Sequence, residues 1–312
     1  MGQPGRMHHR TPLPATLGDR FTVREAAAAG VLRGRAAARD LARPFHGVRA
    51  RTRPETPLQK VLCVVPRLRA DQLVAGRTAL RVWGYPCPGA WALEDDVVVA
   101  VPTDAVRPRT HGIRGVRLAP GRARRWLVGG IPVVDPLAAL FMDAVSMTQM
   151  QIVVLLDAML TVSPHYPGLP DNRPAHTRDE IAARLAQWGR FPGCRRVHEA
   201  LSSARERVES PKETETRLLI VGAGLPEPEV QYEVRDGHQL VARTDLAYPR
   251  RKIAIEYEGD GHRTSREQWR RDIQRQRDLE DRGWIVIRVT ELDLRAGGEA
   301  FLRRLRRALA DR

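Results

Sequence analysis

Three acids stand where strand packing gives no reason to place them: Asp245, Glu256 and Glu258, at the ends of apolar runs. In Ile253-Ala-Ile-Glu256-Tyr-Glu258 side chains alternate faces if the segment is a strand. Ile253, Ile255 and Tyr257 then share one side, and Glu256 and Glu258 share the other, ~7 Å apart. Carboxylates gathered in this way repel and resist ionisation unless a cation lies between them. Hard divalent cations, Mg²⁺ above all and Mn²⁺ as its substitute, take oxygen ligands of this kind. Such ions activate water and polarise phosphate. The acids therefore point to metal-dependent phosphodiester hydrolysis.

Stepping outward along the chain, the elements that would hold these acids read as α-β-β-β-α-β-α over 208–312. A helix is expected over 212–223 and a strand over 230–234, and Asp236-Gly237 has the composition of a hairpin turn. Strands follow over 240–246 and 253–258. Ser265 caps a long helix to 281, which Gly283 ends. The run 284–289 is apolar throughout, as a buried central strand would be, and a helix over 299–310 closes the chain.

This order, with Asp245 ending one strand and Glu256-x-Glu258 on the next, resembles the PD-(D/E)XK nuclease superfamily. Within it the chain is similar to a domain of unknown function related to very-short-patch-repair endonucleases. The resemblance spans about 100 residues and rests on Glu215-Thr-Arg-Leu218, Asp245 to Pro249, Ile255-Glu256-Tyr257-Glu258-Gly259-Asp260-Gly261-His262, Arg271-Asp272-Ile-Gln-Arg275 and Gly283 to Arg288. It implies a restriction-endonuclease-like fold and a catalytic set of Asp245, Glu256, Glu258, His262 and Glu215. Asp245 and Glu256 would bind Mg²⁺ or Mn²⁺, and Glu215 would join them through a water or a second ion. Glu213 competes with Glu215, and the Thr-Arg-Leu context favours Glu215. The lysine usual in the third motif is absent, as in very-short-patch-repair relatives, which leaves His262 to orient water or protonate the leaving oxygen. Position 258 carries glutamate where aspartate is typical. Arg263, Arg271 and Arg275 would meet phosphate. The bland alternatives are a turn-shaping role for Asp245 before Pro249, a solvated strand end at Glu258, and a surface ion pair for Arg271 and Asp272.

Charge separates the two ends of the chain. The net charge is +15, with Lys60, Lys212 and Lys252 as the lysines among 52 basic residues. Residues 208–312 hold 21 basic and 20 acidic residues, so the excess lies upstream, where a basic surface favours phosphate backbones. Residues 1–19 read as a disordered leader. Over 20–55, Thr22 and Glu25 form a capping box, Gly30 breaks the first helix, a second helix is expected over 33–41, and 44–51 suits a short β-wing. These features are similar to the N-terminal winged helix-turn-helix of AbiEi-type abortive-infection antitoxins. That resemblance implies nucleic-acid contacts by Arg33, Arg35, Arg39 and Arg43, and it adds a cognate toxin-like protein or a second copy of the chain as partners to DNA.

Residues 56–163 read as a mixed α/β middle region and 164–207 as a linker with helices, so the expected fold is an α+β multidomain chain. No stretch approaches the ~20 apolar residues of a membrane span, and the N-terminus lacks an apolar signal core. Cys63, Cys87 and Cys194 are scattered like reduced thiols. A cytoplasmic protein follows. A second reading is a regulator of antitoxin type whose nuclease fold has lost catalysis.

Overall fold

Side-chain caps and glycines set the backbone direction in two α/β units, residues 1–83 with 88–143, and residues 84–87 with 144–312. The structure, a computed structural model, describes residues 11–170, 172–259 and 266–312, with the backbone alone for 266–269. His262, Arg263 and the expected cap Ser265 lie outside the described residues. The described chain is mixed α/β with three sheets, and none of its helices is long and apolar enough to cross a membrane.

In the first unit β1 (Arg20–Thr22) leads directly into α1 (Val23–Ala28) through the expected capping box of Thr22 and Glu25. Gly30, at φ +78°, ends the helix. Helix α2 (Arg33–Ala36) is a single turn rather than the helix expected over 33–41. Arginine side chains satisfy its end early: Arg43 donates to the Ala37 carbonyl and Arg49 to the Ala36 carbonyl, each at 2.6 Å. The expected wing is also different. β2 (Val48–Ala50) pairs antiparallel with β1 instead of forming a hairpin within 44–51.

Further on, Thr56 caps α3 (Pro57–Val64), followed by β3 (Leu73–Val74), α4 (Gly76–Val82), β4 (Val97–Pro102), β5 (Ile113–Leu118), β6 (Arg125–Val128), β7 (Ile131–Val134) and α5 (Pro136–Asp143). The sheet order is β5-β4-β3-β7-β6. β4 is buried from Val97 to Val101, as a strand covered on both faces must be. Asp135 caps α5 through the Ala138 amide at 3.1 Å.

The second unit begins with α6 (Gln149–Leu160), buried continuously from Ile152, then α7 (Arg178–Trp188), α8 (Cys194–Ser203) and α9 (Pro211–Gly222). A buried ion pair ties α9 to α6. Arg217 meets Asp157 at 2.9 Å, with exposures of 1% and 0%, and the Thr214 hydroxyl donates to the same carboxylate oxygen at 2.8 Å. Arg217 also donates to Glu227 and the Ser203 carbonyl. Burial pushes the Asp157 carboxyl up, against the opposing pull of Arg217.

The sheet of this unit comprises β8 (Glu229–Asp236), β9 (Gln239–Tyr248), β10 (Ile253–Glu258) and β11 (Ile285–Thr290), in the order β11-β10-β9-β8. The first three form an antiparallel meander. Helix α10 (Arg266–Glu280) crosses over to β11, which runs parallel to β10. β11 is thus an edge strand, not the central strand its apolar run suggested. Its apolar residues face helices: α11 (Glu291–Arg295) and α12 (Glu299–Ala310) follow it, and Ile287 and Val289 join Phe301 and Leu305 in one core layer. The same layer holds Leu246, Ile253 and Ile255, while Ala247, Ala254, Leu279 and Trp284 form a second layer on the opposite face.

Candidate active site

The site is built where β9 and β10 part. Their antiparallel pairing runs Ile253 with Tyr248, Ala254 with Ala247 and Ile255 with Leu246. One more step would place Glu256 opposite Asp245, but the ladder stops there. The Asp245 side chain takes over the next backbone donor, accepting from the Tyr257 amide at 2.8 Å. By strand alternation Asp245 and Glu256 lie on the face of Ala247 and Ala254, toward α10. Positions opposed across neighbouring strands have Cβ atoms about 5 Å apart, so the register brings the two carboxylates together.

Their environment is crowded and charged. Asp245 retains partial solvent contact, yet protein atoms crowd it closely, and burial together with the Glu256 charge pushes its carboxyl up to about 6 against the Tyr257 hydrogen bond. Burial also raises Glu256, opposed by Arg275 and Arg288. One Glu256 oxygen, Oε2, accepts from Arg275 at 2.9 Å. The other, Oε1, is buried without a hydrogen-bond partner among the described residues, a state that ordinarily costs about 1–3 kcal/mol or more.

Helix α9 supplies the third acid, and it is Glu213 rather than Glu215. Ser210 caps the helix and Glu213 lies in its first turn, 5% exposed. Its Oε2 accepts from the Gln231 side chain at 2.9 Å and from the Glu209 amide at 3.0 Å. Burial, then the Asp245 charge, pushes Glu213 up to about 7. Glu215 instead accepts from Lys212 at 2.7 Å, and Lys212 also pairs with Glu291 at 2.9 Å. Residues two apart on a helix do not share a face, so only one of these glutamates can meet Asp245.

The remaining expected residues divide. Glu258 pairs with Arg288 at 3.3 Å and is half-buried. Arg275 binds Glu256 directly and approaches Asp272 at 3.9 Å, while Arg271 is exposed on α10. His262 and Arg263 fall outside the described residues. In the first unit Arg33 and Arg39 are exposed, but Arg35 donates to the Thr11 carbonyl and pairs with Asp40 at 3.1 Å, and Arg43 is occupied by the Ala37 carbonyl. Arg35 and Arg43 are thus spent on the local fold, and α2 is too short to present all four from one helix. Among the described residues, no three His, Cys, Asp or Glu side chains are placed to enclose a metal ion by themselves.

No family model matches the chain. The uncharacterized proteins Rv2248 and MT2308, from two strains of Mycobacterium tuberculosis, are each 32% identical over 118 residues. That stretch is 38% of this chain and 44% of theirs, so the chain spans less than half the length of these relatives. The crystal structure of the RV2827C protein from Mycobacterium tuberculosis aligns with 70% of this chain and 84% of its own at 15% identity and a TM-score of 0.41, too low a likeness to bear on this fold.

Gln231 was not legible as a site residue. The pairs on either side, Val230 with Leu246 and Tyr232 with Thr244, set it opposite Asp245. It is buried and holds φ +49°, a left-handed conformation rare in a strand. Such a backbone costs about 1–3 kcal/mol and persists where surrounding contacts fix it. Here its side chain binds Glu213 and its carbonyl accepts from Arg207 at 3.2 Å. The available signal was an uncharged amide between Val230 and Tyr232, in the strand before the one that carries Asp245.

Proposed function

We propose that the second unit is a metal-dependent nuclease domain similar to PD-(D/E)XK and very-short-patch-repair endonucleases, hydrolysing phosphodiester bonds in DNA. The observation that carries this reading is Asp245 at the fork of β9 and β10, close enough to feel the charge of Glu256 and to raise Glu213, with Asp245 and Glu213 both pushed up toward neutrality. Packing and stability give no reason to crowd acids within reach of one another's charge.

The residues fit a hard divalent cation, Mg²⁺ or Mn²⁺. Glu256 Oε1 is buried and lacks a partner, and Mg²⁺ is usually held by one or two carboxylates, with water and substrate phosphate completing its shell. Asp245 and Glu256 would hold the ion. When bound, it lowers the pKa of an attacking water and polarises the scissile phosphate. Glu213, with a pKa near neutrality, is suited to accept a proton from that water, and Gln231 fixes its orientation. Arg275, which pairs with Glu256 at 2.9 Å, would be placed to meet the substrate phosphate. His262 remains the candidate proton donor to the leaving oxygen.

The test is nicking of supercoiled plasmid with Mg²⁺ or Mn²⁺. Wild type should nick, EDTA should abolish the activity, and Asp245→Asn and Glu256→Gln should each lose at least about 100-fold, the usual scale for removing a metal ligand. Equal activity in wild type and both variants rejects the site.

A second reading, a DNA-binding regulator of antitoxin type with a degenerate nuclease fold, has a specific observation in its favour. Arg275 and Arg288 already neutralise Glu256 and Glu258. It requires duplex binding that survives EDTA and no cleavage by the wild-type chain.

A further inference from the structure

The five-stranded sheet of the first unit ends at β5, whose outer edge pairs with no strand among the described residues. β5 and the segment before it bound a cavity of about 530 Å³ lined by Arg107, Arg109, Arg114 and Arg117, with Asp96 and Asp104 as its acids. All four arginines are exposed, and none of their guanidinium groups has an acceptor among the described residues. Arg35, Arg43 and Arg49 differ, because each is committed to a carbonyl of the fold.

Gly115 explains how the arginines come together. A Cβ there would stand 2.6 Å from Pro108 Cδ and 3.0 Å from Arg107 Cβ. The segment after β4 therefore crosses directly over β5 at its glycine, and this crossing sets Arg107 and Arg109 beside Arg114 and Arg117. Four like charges held next to each other, with neither acid paired to them, work against stability. A polyanion relieves that cost by replacing condensed counterions. The open amides of an edge strand also donate to phosphate oxygens. The lining contains no aromatic side chain, so it offers no platform for the stacked bases on which single-strand binders depend.

We propose that this groove binds the phosphodiester backbone of duplex DNA, at a site separate from the carboxylates around Asp245. The inference shares only the polymer with the nuclease reading and requires no cleavage. Fluorescence anisotropy of a short labelled duplex, with the full-length chain in EDTA, reads it directly. The double variants Arg107→Ala/Arg109→Ala and Arg114→Ala/Arg117→Ala should each weaken binding by about 10-fold or more. Each should also reduce the slope of log affinity against log salt by about 2. Asp104→Asn should tighten binding, and a single strand of the same sequence should bind more weakly than the duplex. Unchanged affinity and salt slope in both double variants, or tighter binding of the single strand, overturns the proposal. Plasmid nicking separates the two readings. Wild-type nicking alongside unaltered binding by both double variants removes the groove and leaves the nuclease, whereas duplex binding through the groove without nicking does the reverse.

Discussion

A carboxylate that loses water without gaining a cation keeps its proton, and at this fork the effect has a definite sign. In the cation-free chain Asp245 is held near 6 and Glu213 near 7, both above their values in an unfolded chain. The folded state then binds protons that the unfolded state has released. The stabilisation from these groups is complete below about pH 4 and is lost as pH rises through 6 to 7. In EDTA, Asp245→Asn should therefore gain stability relative to wild type between pH 5 and 8, on the order of 1–3 kcal/mol, measured by urea unfolding at each pH. A difference that does not change with pH contradicts the burial of this acid. The two glutamates of α9 give a sharper comparison. Glu213→Gln should reduce plasmid nicking at least about 100-fold, while Glu215→Gln, which only breaks the Lys212 pair, should stay within a few-fold of wild type. The opposite order would restore Glu215 to the site.

Helix α9 can present Glu213 only if it is fixed, and its anchor is the Arg217–Asp157 pair to α6. Arg217→Met strands a buried carboxylate and should cost about 3–5 kcal/mol. Asp157→Leu/Arg217→Met together should cost less than the sum of the single changes, a relation that chemical denaturation tests. Much of this framework was visible in residue patterns: the capping box at Thr22 and β10 ending on Glu256 and Glu258 lie where the sequence places them, and the hairpin between β8 and β9 turns at Gly237-His238, one residue later than Asp236-Gly237. Arg217 was visible as part of a Thr-Arg-Leu motif, but its ion pair was not, because Asp157 lies 60 residues earlier within an apolar helix. Propensity also overextended α2, whose end is set by Arg43 and Arg49 from beyond it. β11 read as central because its apolar faces are covered by helices, and hydrophobicity does not record whether a covering neighbour is a strand or a helix. Choosing between Glu213 and Glu215 depended on the rotation of α9 about its axis, which two adjacent acids in sequence leave open.

Over the whole chain, charge and chemistry are divided. The unit carrying the acids is nearly neutral over 208–312, and +14 of the net +15 lies upstream. Such a chain should bind duplex without metal and lose affinity steeply with salt, roughly a hundred-fold between 50 and 200 mM if four phosphates are contacted. Asp245→Asn should leave this dependence unchanged while abolishing nicking. The proposed hydrolysis depends on whether the fork of β9 and β10 takes up a divalent ion. Calorimetric titration of the full-length chain with Mn²⁺ near pH 7.5 measures this directly. The account predicts saturable binding in wild type that is lost in both Asp245→Asn and Glu256→Gln. Absence of saturable binding in wild type, or binding that persists unchanged in both variants, would contradict it.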